Sequence, residues 1–156
     1  MDYQPGHFSE KANRLFRSGY NCAQSVFLAF EELYSIDHDT AMRLSSSFGG
    51  GMGRLREVCG AVSAIFMVAG LLYGYSDVSN PDLKPEHYAR IQALAASFRE
   101  QTGTIICREL LELDHKIDPP APEARTPEYY QKRPCPGYCA LAAEILEQYI
   151  AEHPIP

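Results

Sequence analysis

The chain of 156 residues is 46% hydrophobic and carries 14 basic against 20 acidic residues, a formal net charge of -6. That size and apolar content suit one domain, 1–156, with a conventional core, and the acidic balance, without a basic block to neutralise a phosphate backbone, argues against a nucleic-acid partner. Five cysteines exceed what packing requires yet are too few and too widely spaced for a secreted disulfide scaffold, so redox or metal chemistry is the leading expectation. Met1 to Gly6 is polar and contains Pro5, unlike a cleaved leader, so a cytoplasmic location is expected.

In chain order, Phe8 to Ser18 reads as an amphipathic helix with Ala12, Leu15 and Phe16 on one face, Ser9 as N-cap and Gly19 as stop. Asn21 caps a second helix running to about Tyr34, with Cys22 in its first turn and Val26, Phe30 and Leu33 at helical spacing. Asp37 or Asp39 starts a third through Met42 and Leu44, ended by Gly49. The glycine-dense stretch Gly49 to Gly53 then leads to an uncharged run from Val58 to Tyr75, read as a central helix buried on most of its surface. That run falls short of the roughly 20 apolar residues of a membrane span and contains Gly60, Ser63 and Gly70, so no membrane partner is expected.

After a turn-rich loop, Pro85 marks the first position of a helix to about Gln101, with Ile91, Leu94, Ala95 and Phe98 in one stripe and Gly103 as its stop. Thr104 caps TIICRELLEL, placing Cys107 early in another helix. The prolines between Asp114 and Arg133 predict a long irregular segment crossing the surface. Pro136, at the first helical position after Cys135, opens a closing helix with Leu141, Ile145 and Ile150 inward. There is no strand alternation and no internal repeat. The fold class expected is all-α, a single-domain helical bundle of about six to seven helices around a buried central helix.

Cys22, Cys59, Cys107 and Cys135 all fall at or near predicted helix starts, where the helix dipole and unpaired N–H groups favour thiolate, the form that attacks disulfides or binds metal. Four such starts converging on one site would make a redox or metal centre; the bland alternative is four small core residues. No C-x-x-C occurs, while Cys135 and Cys139 lie one helical turn apart and can face one point. GGGMGR lacks the Lys-Ser/Thr of a P-loop and does not fit G-x-G-x-x-G, so Gly50, Gly51 and Gly53 are read instead as bringing backbone N–H groups to thiolates or cluster sulfides, or as a plain tight turn. Arg54 and Arg56 precede Cys59 closely enough for either to acidify it, the alternative being that they are simply solvated. His7, His38, His87, His115 and His153 show no metal-ligand spacing and are read as surface residues.

Asn21-Cys22-Ala23-Gln24, Gly49-Gly50-Gly51-Met52-Gly53-Arg54, Glu57-Val58-Cys59-Gly60-Ala61, Cys107-Arg108-Glu109-Leu110-Leu111 and Cys135-Pro136 resemble, in order and over nearly the whole chain, the small redox-active proteins of the C_GCAxxG_C_C family. The resemblance implies a bacterial or archaeal protein whose four family cysteines correspond to Cys22, Cys59, Cys107 and Cys135. Ala64 and Arg56 stand where the family has glycine, and Cys139 is additional to the family set.

Two classes of function follow. In the first, the four cysteines form one redox site, either ligating an iron–sulfur cluster or another metal, or cycling dithiol and disulfide with Cys59 and Cys22 as the reacting thiols, in exchange with a redox partner protein. In the second, the chain is a structural or interaction module, a possible homodimer, whose cysteines only pack. A covalent enzyme built on Cys59 lacks an identifiable base.

Overall fold

Local capping chemistry sets where the helices begin. The structure, a computed structural model, describes residues 3–156; Met1 and Asp2, the first residues of the stretch Met1 to Gly6 on which the expectation of a cytoplasmic location rests, lie outside them. Helix α1 (His7–Arg17) starts two residues before Ser9, because Gly6, at φ 89°, turns the chain into the helix and its carbonyl accepts from Glu10 N at 2.9 Å. Helix α2 (Cys22–Ala29) opens with a full capping box. The Asn21 side chain accepts from Gln24 N at 2.8 Å, and the Gln24 side chain accepts from Asn21 N at 3.2 Å. Instead of running to Tyr34, α2 ends at Ala29 and tightens into one 3-10 turn, Glu31–Leu33; the Tyr34 hydroxyl donates back to Phe27 O at 2.8 Å and its ring stacks on Phe27. Asn21→Ala is expected to cost about 1–2 kcal/mol, read as a lower urea midpoint with unchanged m-value.

Asp37, not Asp39, caps α3 (His38–Ser46) by accepting from Thr40 N. A single turn, α4 (Gly49–Met52), separates it from α5 (Gly60–Tyr73), and α6 (Leu83–Thr102) begins two residues before Pro85 and stops at left-handed Gly103. Helix α7 (Cys107–Leu110) is much shorter than the pattern predicts, since the chain reverses at Glu112 with φ 53°. Thr104 supports its start rather than capping it directly, accepting from Ile106 N and donating to Glu109 Oε2. Within the segment expected to be irregular, Thr126 caps a short α8 (Pro127–Lys132). In α9 (Cys135–Glu152) the first residue is Cys135 and Pro136 is the second.

Six of these helices are eight residues or longer, and the only extended pairing among the described residues is one antiparallel bridge, Val58 with Ile106. The domain is all-α. Helix α2 packs against α1, α3, α5 and α9, while α5 packs against α2, α6 and α9. Nine of the 14 residues of α5 are buried, and Leu71 on its outer face stays 45% exposed. Ala23, Ala61, Ala64, Ala142 and Ala143 are fully buried, so α2, α5 and α9 meet through small side chains at close range. On α9 the inward positions are accordingly Cys139, Ala142, Ala143, Ile145 and Leu146, with Leu141 and Ile150 only partly covered. Phe16, Phe27, Phe30 and Phe98 fill the interior, each contributing about 1.5–3 kcal/mol of burial, with Phe8 stacked on Phe30. Among the described residues no helix is long and apolar enough to cross a membrane.

Candidate functional site

Cys22 opens α2, Cys59 directly precedes α5, Cys107 opens α7 and Cys135 opens α9. All four line one cavity of about 340 Å³. Short-range bonds aim them there. The capping box fixes Cys22, and Asn13 Nδ2 donates to Pro136 O at 3.1 Å to hold the start of α9 against α1. Flanking the Val58–Ile106 bridge, Cys59 N donates to Ile105 O at 2.8 Å and Cys107 N to Glu57 O at 2.6 Å, which clamps these two cysteine segments side by side.

The glycine stretch is a left-handed turn. Gly50, Gly51, Met52, Gly53 and Arg54 all have φ between 65° and 68°, a run that L-residues avoid because each non-glycine member costs about 1–2 kcal/mol. Bonds from Met52 N to Phe48 O, from Gly53 N to Gly49 O and from Glu57 N to Gly51 O hold it. It brings backbone near sulfur: the backbone of Gly50, together with that of Ala23 and Gly60, favours the Cys22 thiolate and partly opposes the effect of its burial. A Cβ on Gly60 would lie 2.5 Å from Cys22 Sγ, and one on Gly51 would lie 2.6 Å from Cys107 Cβ. Gly50 and Gly53 line the cavity, whereas Gly51 sits behind Cys107.

The expected acidification is overturned for Cys22, Cys59 and Cys135. Burial pushes the Cys22 thiol up, against the opposing N–H of Gly50; it pushes Cys59 well up, reinforced by Cys22; and it pushes Cys135 up to about 12, reinforced by Cys22 and Cys107. A helix terminus is worth at most about 2 kcal/mol, or roughly one and a half pKa units, and desolvation of a buried thiol exceeds it. Arg56 donates not to Cys59 but, from Nη1, to Cys107 Sγ at 3.5 Å. Cys139 does not join Cys135 at the cavity: it is fully buried beneath α2, its Sγ donating to Cys22 O at 3.8 Å. All five thiols are free, and none of the five histidines lines the cavity.

The proline-rich segment crosses the surface as expected, but as a strap over this cavity, which sequence reasoning did not assign to the site. Pro120, Pro122, Glu123, Arg125, Tyr129 and Arg133 form one wall. Arg125 is seated over the Phe16 ring and donates to Phe16 O at 2.6 Å and Tyr20 O at 3.0 Å. At the other end Arg54 Nε donates to Pro119 O at 2.7 Å and Asp118 N to Arg54 O at 3.1 Å. Burial would raise the Asp118 carboxyl, yet bonds from Arg56 and His115 hold it below the usual range, while bonds to Asp114 and Asp118 raise His115. The Asp118 contribution is complete above the ordinary Asp value of about 3.9 and is lost as pH falls through its lowered value; that of His115 is complete below about 6.5 and is lost as pH rises through its raised value. Protection of the strap against limited proteolysis is therefore expected to be greatest between these limits and to decline on both sides.

Among the described residues, no three His, Cys, Asp or Glu side chains are arranged to hold one metal ion. Four arginines, Arg54, Arg56, Arg125 and Arg133, face the cavity against one acidic residue, Glu123, in a chain whose net charge is -6. No curated protein and no solved structure matches the chain. The family model described as "Putative redox-active protein (C_GCAxxG_C_C)" matches residues 20–149, a span that holds all four cavity cysteines and the left-handed turn, and the chain belongs to that family.

Proposed function

We propose that the cavity is a one-electron redox site in which Cys22, Cys59, Cys107 and Cys135 ligate an iron–sulfur cluster. The observation that carries this reading is the opening of four thiols, from four separate helix starts, onto one cavity lined with arginine. The donor set is tested by its surroundings. Four thiolates around a cluster leave a net negative charge, and the lining supplies four guanidinium groups together with backbone N–H groups of the kind that adjust cluster potentials. The Cβ-free backbone at Gly60 gives the Cys22 sulfur its room. Among the described residues no three donors are grouped around a single point, and on this reading the four cavity cysteines are therefore the residues that would hold a multi-iron group. When bound, such a cluster supplies storage for one electron; the chain orients the four sulfurs, and the strap limits the access of water.

A second reading, disulfide exchange between Cys22 and Cys59, draws on the contact of the Cys22 sulfur with Gly60, the neighbour of Cys59. Burial raises both thiols, which leaves little thiolate to begin the attack, and it pushes Cys135 up to about 12. Free thiols and the absence of any need for oxidation suit a reducing compartment such as the cytoplasm. Anaerobic incubation with ferrous iron and sulfide, followed by desalting, is expected to give a brown protein with stoichiometric iron and acid-labile sulfide. A colourless protein with five titratable thiols would end the cluster reading, and a Cys22–Cys59 disulfide after mild oxidation would favour the second.

A further inference from the structure

Contacts run in series from the cavity wall to solvent. Arg56, 5% exposed and held at φ 59°, donates from Nη1 to Cys107 Sγ at 3.5 Å and from Nε to Asp118 Oδ2 at 2.6 Å. The other Asp118 oxygen meets His115 Nε2 at 2.7 Å, and His115 Nδ1 meets Asp114 Oδ1 at 2.8 Å. The charged groups facing His115 are thus Asp114 and Asp118 on its own segment, with Arg56 and, at 4.0 Å from Asp118, Arg54 reaching from the left-handed turn. Only His115 and Asp114 stand open to water; the Asp118 side chain is 14% exposed.

We propose that Arg56, Asp118 and His115 form a proton-linked relay that sets the reduction potential of the cysteine site, His115 gaining a proton from solvent as the site gains an electron. The inference rests on the redox reading of the cavity given above. The Arg56 guanidinium is shared between a sulfur and a carboxylate. Charged His115 donates from both ring nitrogens, one to Asp118 and one to Asp114, which offsets the Asp118 charge and leaves more of the Arg56 field for Cys107. Neutral His115 has one N–H for two carboxylates, so Asp118 draws on Arg56 more fully and the positive potential at the sulfur falls. An electron delivered by an external one-electron donor adds negative charge at the cavity and raises the proton affinity of His115 through the same contacts; water supplies the proton, and no covalent bond to sulfur is made or broken. Coupling of this kind is reciprocal.

The test uses the full chain and two independent readouts. With the iron- and sulfide-loaded protein titrated by reduced methyl viologen, the wild-type midpoint potential is expected to fall as pH rises through the His115 titration. The midpoint of His115→Gln is expected to stay flat over that range. Arg56→Lys should retain part of the slope that Arg56→Gln loses, a distinction that a purely structural arginine would not show. In the unloaded protein, the iodoacetamide rate at Cys107 relative to Cys135, assigned by mass spectrometry, is expected to step with His115 protonation in wild type and not in His115→Gln. Identical pH profiles for wild type and His115→Gln in either readout would overturn the relay, even with the cluster loaded. A His115-dependent step at Cys107 in a protein that takes up no iron would support the relay and overturn the cluster reading alone.

Discussion

Serine in place of any one of Cys22, Cys59, Cys107 or Cys135 is expected to abolish retention of iron and sulfide through desalting, whereas Cys139→Ala should retain both at wild-type stoichiometry. The contrast follows from position. The first four sulfurs open on the cavity. Cys139 is fully buried one helical turn further along α9, with its S–H on the Cys22 carbonyl. On the cluster reading, removing a cavity thiol deletes one of four proposed soft ligands and leaves a hard hydroxyl that iron–sulfur groups bind poorly. Removing Cys139 costs packing of about 1 kcal/mol, visible as a lower melting temperature and not as lost metal. Equal loss in all five variants would mean that the thiols matter through folding rather than ligation, so each variant is compared at a denaturant concentration where its far-ultraviolet dichroism matches wild type.

The second large effect is expected from a single methyl group at Gly51. Its φ of 68° disfavours any L-residue, and the added carbon would stand 2.6 Å from Cys107 Cβ, 2.9 Å from Glu57 N and 3.0 Å from Arg56 Cα. Two of those neighbours are backbone atoms and cannot rotate away. Left-handed strain of about 1–2 kcal/mol and overpacking of about 1–3 kcal/mol add to a loss of roughly 2–5 kcal/mol in Gly51→Ala. Gly60→Ala meets Cys22 Sγ at 2.5 Å and Phe48 O at 2.7 Å, so it forces apart the starts of α2 and α5 and should impair loading as well as stability. Gly70→Ala is the control. Nothing lies within 4 Å of its added carbon, and within α5 the change should stabilise by about 0.5–1 kcal/mol. Urea unfolding of the three variants ranks them; a neutral Gly51→Ala would show that the left-handed turn is not held as described.

Features governed by near neighbours in the chain were legible in the sequence. Asn21 and Gln24 are three residues apart and cap α2 as the spacing indicates, and Gly103 stops α6. The placement of four cysteines at helix starts also follows from residues close to each, Asn21 before Cys22, the glycine turn before Cys59, Thr104 before Cys107 and Pro136 after Cys135. Gly6 displaced Ser9 as the start of α1 through its left-handed φ, a choice that Ser9's composition could not reveal. What the sequence hid is long-range. The clamp between Glu57–Cys59 and Ile105–Cys107 consists of one bridge and its flanking bonds, too short to produce alternation. The strap's role depends on Arg125 finding carbonyls of Phe16 and Tyr20 more than 100 positions away. The raised thiols of Cys22, Cys59 and Cys135 run against their helix-start positions because helix starts are visible in sequence and the depth of burial is not, and burial is the stronger effect.

The wide separation of the four sulfur-bearing segments along the chain also bears on when the protein can be loaded. No nascent piece ending before Cys135 contains all four cavity cysteines, and α9 must dock on α1 and α2 before its sulfur faces the others. On the cluster reading, maturation would therefore be a late event in biogenesis: a metallation apparatus would meet an almost finished molecule rather than a growing one, and a prematurely truncated product would leave synthesis with thiols and no cluster.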